Sequence, residues 1–172
     1  MSAFIANRHT LTVFQFLAKQ QEKQDAQRIR LLTIWFGCND ACLPGSRQHV
    51  PLTSFATNLA TLIQMVRSPE SPYYSPITKI ILINPPPINS FQIGPCLLDK
   101  VNPTLPPKYR FDWSFKVTKA YAEEVLKVGE KENVPVVDVW TRIWEAAGKN
   151  ESSLETFLFD GLHLNEAGYQ VS

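Results

Sequence analysis

Near the C-terminal end of the chain, Asp160-Gly161-Leu162-His163 sets a carboxylate and an imidazole three positions apart. On a turn loosened by Gly161, that spacing lets Asp160 accept from one ring nitrogen of His163, fixing the tautomer and stabilising the imidazolium that forms during proton transfer. The other ring nitrogen is then free to serve as general base. A plainer arrangement fits the same residues: Asp160 capping the helix that follows, with His163 as a surface side chain. A second group, Gly37-Cys38-Asn39-Asp40, follows directly on an apolar run. Glycine permits a sharp turn, and an Asn amide beyond it can donate to a developing oxyanion, an interaction worth on the order of 3 kcal/mol. Ordinary turn chemistry, with Asn39 and Asp40 bonding their own backbone, remains open for this motif too.

Both groups need a scaffold. Three apolar runs read as strands: Ile29 to Phe36, Thr78 to Ile83, and Val134 to Trp140 with Asp138 interrupting it. The first two are nearly continuous in Leu, Ile and Val, the pattern of parallel strands covered on both faces. Between the strands, Phe55, Leu59, Leu62, Ile63 and Val66 share one helical face, and Val117, Tyr121, Val125 and Val128 share another. A shorter helix is expected around Thr141 to Ala147, and Leu11 to Gln27 could form one before the first strand. The alternation predicts βαβ units in an α/β sandwich. Gly37 then falls at the C-terminal end of a parallel strand, where open α/β sheets bind ligands.

Residues 84–113 break this rhythm with Pro85, Pro86, Pro87, Pro95, Pro103, Pro106 and Pro107. Proline excludes helix and central strand there. A loop of this length suits a pocket wall, with Tyr109, Phe111 and Trp113 available as apolar lining or as ordinary packing.

At 172 residues, 44% apolar and 19% charged, the chain reads as a single domain, 1–172, with a buried core. Its 17 basic and 16 acidic residues give a net charge of +1. The charges are scattered, which disfavours nucleic acid or an anionic membrane as partner and leaves a small neutral molecule. No run approaches the roughly 18 apolar residues of a membrane span, and Arg8 and His9 interrupt the short apolar start. Three cysteines without an export signal predict free thiols in a reducing compartment, hence cytoplasm. Cys38, Cys42 and His49 offer three metal donors without a fourth, a poor zinc site. Ser46 and Ser54 suit a turn and a helix start.

WFGCNDACLPGSRQHVPL and FDGLHLNEAGYQV resemble the third and fifth sequence blocks of the SGNH (GDSL-like) hydrolases. More narrowly, with PPPIN after the second strand and VPVVDVW at the third, they resemble the isoamyl acetate-hydrolysing esterase group, its fungal members above all. The resemblance runs from about Arg28 to the end. It implies a three-layer sandwich with a five-stranded parallel sheet, and a serine that attacks an ester carbonyl to give an acyl-enzyme that water hydrolyses. It makes Asn39 the oxyanion-hole asparagine, Gly37 its supporting glycine, His163 the base and Asp160 its orienter. No metal or organic cofactor is implied.

The same resemblance places a Gly-Asp-Ser block and a second glycine block upstream of Gly37, yet no glycine precedes Gly37. Neither block can be present, so the chain has no serine nucleophile of the family's kind, and Cys38, beside the oxyanion donor, is badly placed to replace it. The expectation is an N-terminally truncated domain, lacking the first strands and the end of the last helix, with an open edge at its first remaining strand. Short-chain ester hydrolysis by lineage, with negligible activity in this chain, leads the functional readings. A non-catalytic interaction protein and an acyltransferase variant of the same fold are the others.

Overall fold

The computed structural model describes residues 29–93 and 113–172. Three parallel strands, β1 (Leu31–Trp35), β2 (Lys79–Ile83) and β3 (Val136–Val137), lie in the order β1-β2-β3. Trp35 pairs with Ile83 and Ile83 with Val137, so the three strands end level. That common edge is where the chemistry-bearing turns emerge.

Two long helices connect the strands, α1 (Leu52–Arg67) between β1 and β2, and α2 (Phe115–Lys131) between β2 and β3. Their predicted apolar faces are the buried ones: Phe55, Leu59, Leu62, Ile63 and Val66 on α1, Tyr121, Val125 and Val128 on α2. These side chains pack with Ile34, Ile80 and Leu82 in one cluster. Gly129 lets α2 press on β3, since a Cβ there would sit 2.2 Å from a Val136 methyl. Arg67 ties the helices at their ends by donating to Glu132 O (2.6 Å) and Asn133 O (3.2 Å), a cation against the carbonyls that a helix C-terminus leaves unpaired.

Because side chains alternate along a strand, Ile83 and Val137 face the opposite way. They border a second cluster built from Val139, Ile143, Ala147, Leu154 and Leu158. Its members belong to α3 (Val139–Ala146) and its C-cap Ala147, to a 3-10 turn at Ser152–Thr156 and to the loop that leads into α4 (Glu166–Val171). The predicted α/β architecture is therefore present, with helices on both faces of β2.

Three expectations need correction. The run Val134 to Trp140 is not one strand: only Val136 and Val137 pair, and Val139 already lies in α3. Asp138 causes the switch by capping that helix, its carboxylate accepting from Thr141 N–H. Residues 84–93 are not wholly irregular either, because residues 90–93, which contain no proline, are helical. Finally, β1 is covered on one face only among the described residues. Leu31 and Trp35 on its other face are 52% and 39% exposed, since the second cluster sits over β2 and β3 rather than β1. The strand also lacks a partner along one edge among the described residues. Leu11 to Gln27, Tyr109 and Phe111 lie outside the described residues.

Candidate active site

Beyond β1 the chain reverses at Gly37, whose φ of +119° is strained for any residue with a side chain. A Cβ there would also lie 3.1 Å from the Phe55 ring and 3.2 Å from the Pro85 ring. The turn closes through Ala41 N–H to Gly37 O (2.9 Å) and Gly37 N–H to the Asp40 carboxylate (3.2 Å). Asp40 thus takes the structural part. Burial pushes its carboxyl up, with backbone hydrogen bonds opposing. Asn39 is exposed at the tip, and its side-chain amide makes no hydrogen bond within the described residues.

Cys38 is partly buried, and its carbonyl accepts from the Trp113 indole N–H at 2.9 Å. Burial first, then the proximity of Cys42, Asp40 and Asp160, pushes its thiol up to about 12. Cys38 is therefore a neutral thiol at physiological pH, not an activated nucleophile. The contribution of Asp160 also shows that the turn after β1 and the Asp160 loop share one electrostatic neighbourhood.

That second loop is narrow. Leu158 and Leu164 form an antiparallel bridge, and Phe159 N–H donates to His163 O at 2.7 Å. Inside it, Asp160 Oδ1 accepts from Leu162 N–H (3.0 Å) and His163 N–H (2.9 Å), while Oδ2 lies 2.9 Å from His163 Nδ1. An ionised carboxylate can only accept, so in the neutral form of the ring the proton sits on Nδ1 and Nε2 presents a lone pair. The His163 side chain is 73% exposed against 17% for Asp160. Burial pushes the Asp160 carboxyl up, but the hydrogen bonds from His163 and Leu162, together with the charge of the ring in its imidazolium form, outweigh it and hold the group below its ordinary value. Capping of α4 belongs to Asn165, which accepts from Gly168 N–H at 3.0 Å.

Further residues support these loops without having been singled out in the sequence. Asn84, fully buried at the end of β2, donates to Asp138 (2.7 Å) and accepts from Trp140 N–H (3.0 Å), locking β2 to the start of α3. Asn89, also buried, caps residues 90–93 by accepting from Phe91 N–H and Gln92 N–H. A polar residue closing an apolar strand and another two positions beyond the last proline of a run were the available signals.

Against known proteins, residues 6–171 match the GDSL-like lipase/acylhydrolase family. The chain belongs to that family. Among curated relatives, the chain is 30% identical over 145 residues to the isoamyl acetate-hydrolyzing esterase 1 homolog of Mus musculus, covering 80% of the chain and 50% of the relative. It is 29% identical over 167 residues to a GDSL esterase/lipase of Arabidopsis thaliana, covering 95% and 64%. To the isoamyl acetate-hydrolyzing esterase of Saccharomyces cerevisiae it is 27% identical over 150 residues, covering 83% and 53%. The chain thus spans about half to two-thirds the length of these relatives. In fold it is similar to a lipase/acylhydrolase from Enterococcus faecalis, with a TM-score of 0.53 and 25% identity over 82% of this chain and 55% of that one. An acetylxylan esterase from Geobacillus stearothermophilus gives a TM-score of 0.56 at 21% identity, covering 92% and 63%. No helix among the described residues of this GDSL-like chain is long and apolar enough to cross a membrane.

Proposed function

We propose that this chain is the base-bearing part of a serine-type carboxyl-ester hydrolase for short-chain, acetate-type esters. The observation that carries the reading is the 2.9 Å contact between His163 Nδ1 and Asp160 Oδ2, on an exposed ring whose Nε2 stays available. In this role His163 removes the proton from an attacking hydroxyl and returns it to the departing alcohol. Asp160 holds the ring in the required tautomer and stabilises the imidazolium. Asn39, whose side-chain amide makes no hydrogen bond within the described residues, donates to the oxyanion, and Gly37 gives the turn its shape. The sequence supports the accompanying statement that the chain is inactive as it stands: no glycine precedes Gly37, so no Gly-Asp-Ser nucleophile block does. Loss of such a nucleophile costs on the order of a million-fold in turnover. A reducing, cytoplasmic setting belongs to the same proposal.

Hydrolysis of 4-nitrophenyl acetate tests this reading. The chain alone is expected to match buffer. Joined at its N-terminal side to the Gly-Asp-Ser-bearing segment of a relative, it is expected to gain hydrolysis that His163→Ala abolishes. A well-folded joined chain without activity overturns the esterase assignment, and His163-dependent hydrolysis by the chain alone overturns the inactivity. Transfer of the acetyl group to an added alcohol in preference to water marks the joined chain as an acyltransferase instead.

The edge of β1 that has no partner among the described residues, together with the exposure of Leu31 and Trp35 on one face of that strand, favours a second reading as an interaction protein. A folded, inactive joined chain together with specific pairing along β1 is the result that would select it.

A further inference from the structure

The loop that carries Asp160 and His163 does not hold its shape alone. It lies against residues 89–93, a segment anchored from behind by a carboxylate that the proposed chemistry does not use. On the residue before Asp160, the Gln92 side-chain amide donates to Phe159 O at 3.2 Å, with Leu158 O at 3.5 Å. On the residue after it, Gly161 O accepts from Asn89 N–H at 2.9 Å. The approach at Gly161 is close: a Cβ there would fall 2.7 Å from Asn89 O and 2.8 Å from Ile93 N. Asp160 is therefore clasped on both sides by one short segment, and its carboxylate, through Nδ1, sets the ring of His163.

The segment is fixed in turn. Asn89, only 2% exposed, accepts from Phe91 N–H (3.1 Å) and Gln92 N–H (3.2 Å) at Oδ1, and its amide donates to Ser152 O (3.4 Å). One oxygen of Glu151 accepts both from Ser90 N–H (3.0 Å) and from Ser90 Oγ (2.5 Å). Charge-assisted hydrogen bonds of this kind are short and strong. Glu151, Asn89 and Gln92 make no hydrogen bond to His163, so their influence on the ring passes through the backbone on either side of Asp160.

We propose that Asn89 and Gln92, held in place by Glu151, are positioning residues that keep Asp160 seated on His163 Nδ1 and so keep Nε2 as the available base. The inference rests on the esterase reading for its purpose, but not for its test. Geometry matters at this scale, because a misplacement of about 1 Å in a reacting group can cost a hundredfold in rate.

The test is the tautomer of His163 in the chain as it exists, read from its two ring 15N shifts at a pH where the ring is neutral. The wild-type chain is expected to hold the proton chiefly on Nδ1. Glu151→Ala and Gln92→Ala are expected to lower the ratio of Nδ1–H to Nε2–H at least twofold while the far-UV spectrum stays native. Glu151→Gln, whose amide oxygen still accepts from Ser90, is expected to keep the wild-type ratio. Asp160→Asn serves as the control that moves it. Two separate alanine sites are used because Asn89 is buried and its substitution risks unfolding. A wild-type ratio in both alanine variants overturns the proposal, as does a Glu151→Gln variant that behaves like Glu151→Ala, or an Asp160→Asn control that changes nothing. None of these readouts needs ester hydrolysis, so an inactive joined chain defeats the esterase reading and leaves this inference standing, and the reverse holds equally.

Discussion

His163 Nδ1 meets Asp160 Oδ2 at 2.9 Å, and the other oxygen of the same carboxylate takes the backbone N–H groups of Leu162 and His163. One side chain therefore shapes the loop and orients the ring at once. Asp160→Asn keeps a hydrogen-bonding oxygen but offers the ring an N–H donor or a neutral acceptor. In the joined, serine-bearing chain, kcat is expected to fall about 10⁴-fold with KM little changed, as happens when a triad carboxylate becomes an amide. Steady-state kinetics on 4-nitrophenyl acetate check it.

Acid stability follows from three carboxylates with opposed signs. Burial pushes Asp138 up, but hydrogen bonds from Asn84 and Thr141 and the charge of Arg142 outweigh it; Asp160 is likewise held low. A depressed native value means that the stability contributed is present above the ordinary carboxylate range and lost as pH falls through the native value. Asp40, raised by burial, takes up its proton earlier in the native state and so gains stability as pH falls. Between about pH 5 and pH 2, the melting temperature of Asp138→Asn and Asp160→Asn should fall less steeply than that of wild type. Asp40→Asn should fall more steeply.

Gly161 combines a φ of +86° with contacts that leave no room for a methyl group. Gly161→Ala is expected to cost about 2–4 kcal/mol from backbone strain and overpacking, measured by urea unfolding.

Asn84 is 0% exposed and serves Asp138 and Trp140 N–H together. Asn84→Ala leaves a carboxylate and a buried N–H short of a partner, with an expected loss of about 2–4 kcal/mol. The same unfolding measurement reads it.

A thiol raised from 9.0 to about 12 has roughly a thousandfold less thiolate at a given pH. Alkylation of Cys38 by iodoacetamide at pH 8, followed by mass spectrometry of the peptide, should lag a free thiol by about that factor. Rapid labelling would reopen the possibility of a cysteine nucleophile.

Period and composition were enough to place α1, α2 and the first two strands, because helical faces such as Phe55-Leu59-Leu62-Val66 and continuous runs such as KIILI leave little choice. The run VPVVDVW defeated the same reasoning. Its apolar residues serve two elements in succession, and the cap that divides them, Asp138, reads as a flaw in a strand until the helix is seen. The Asp160-His163 spacing was visible because its geometry is local. Asn89, Gln92 and Glu151 were not, since their partners are distant in sequence, Ser90 being 61 residues from Glu151 and Phe159 67 from Gln92, and no local pattern encodes such a partnership. The bare face of Leu31 and Trp35 was hidden for a related reason: an apolar run reports that a strand is suited to cover, not what covers it.

Trp113 has one more consequence. Its indole fastens to Cys38 O, beside the turn after β1, while Asn89 and Gln92 fasten to the loop around Gly161. The two halves of the site are thus braced from separate points of the chain, Trp113 for one and residues 89–92 for the other. In design terms the braces are independent handles: substitution at Trp113 loosens the first half without touching a contact of the second.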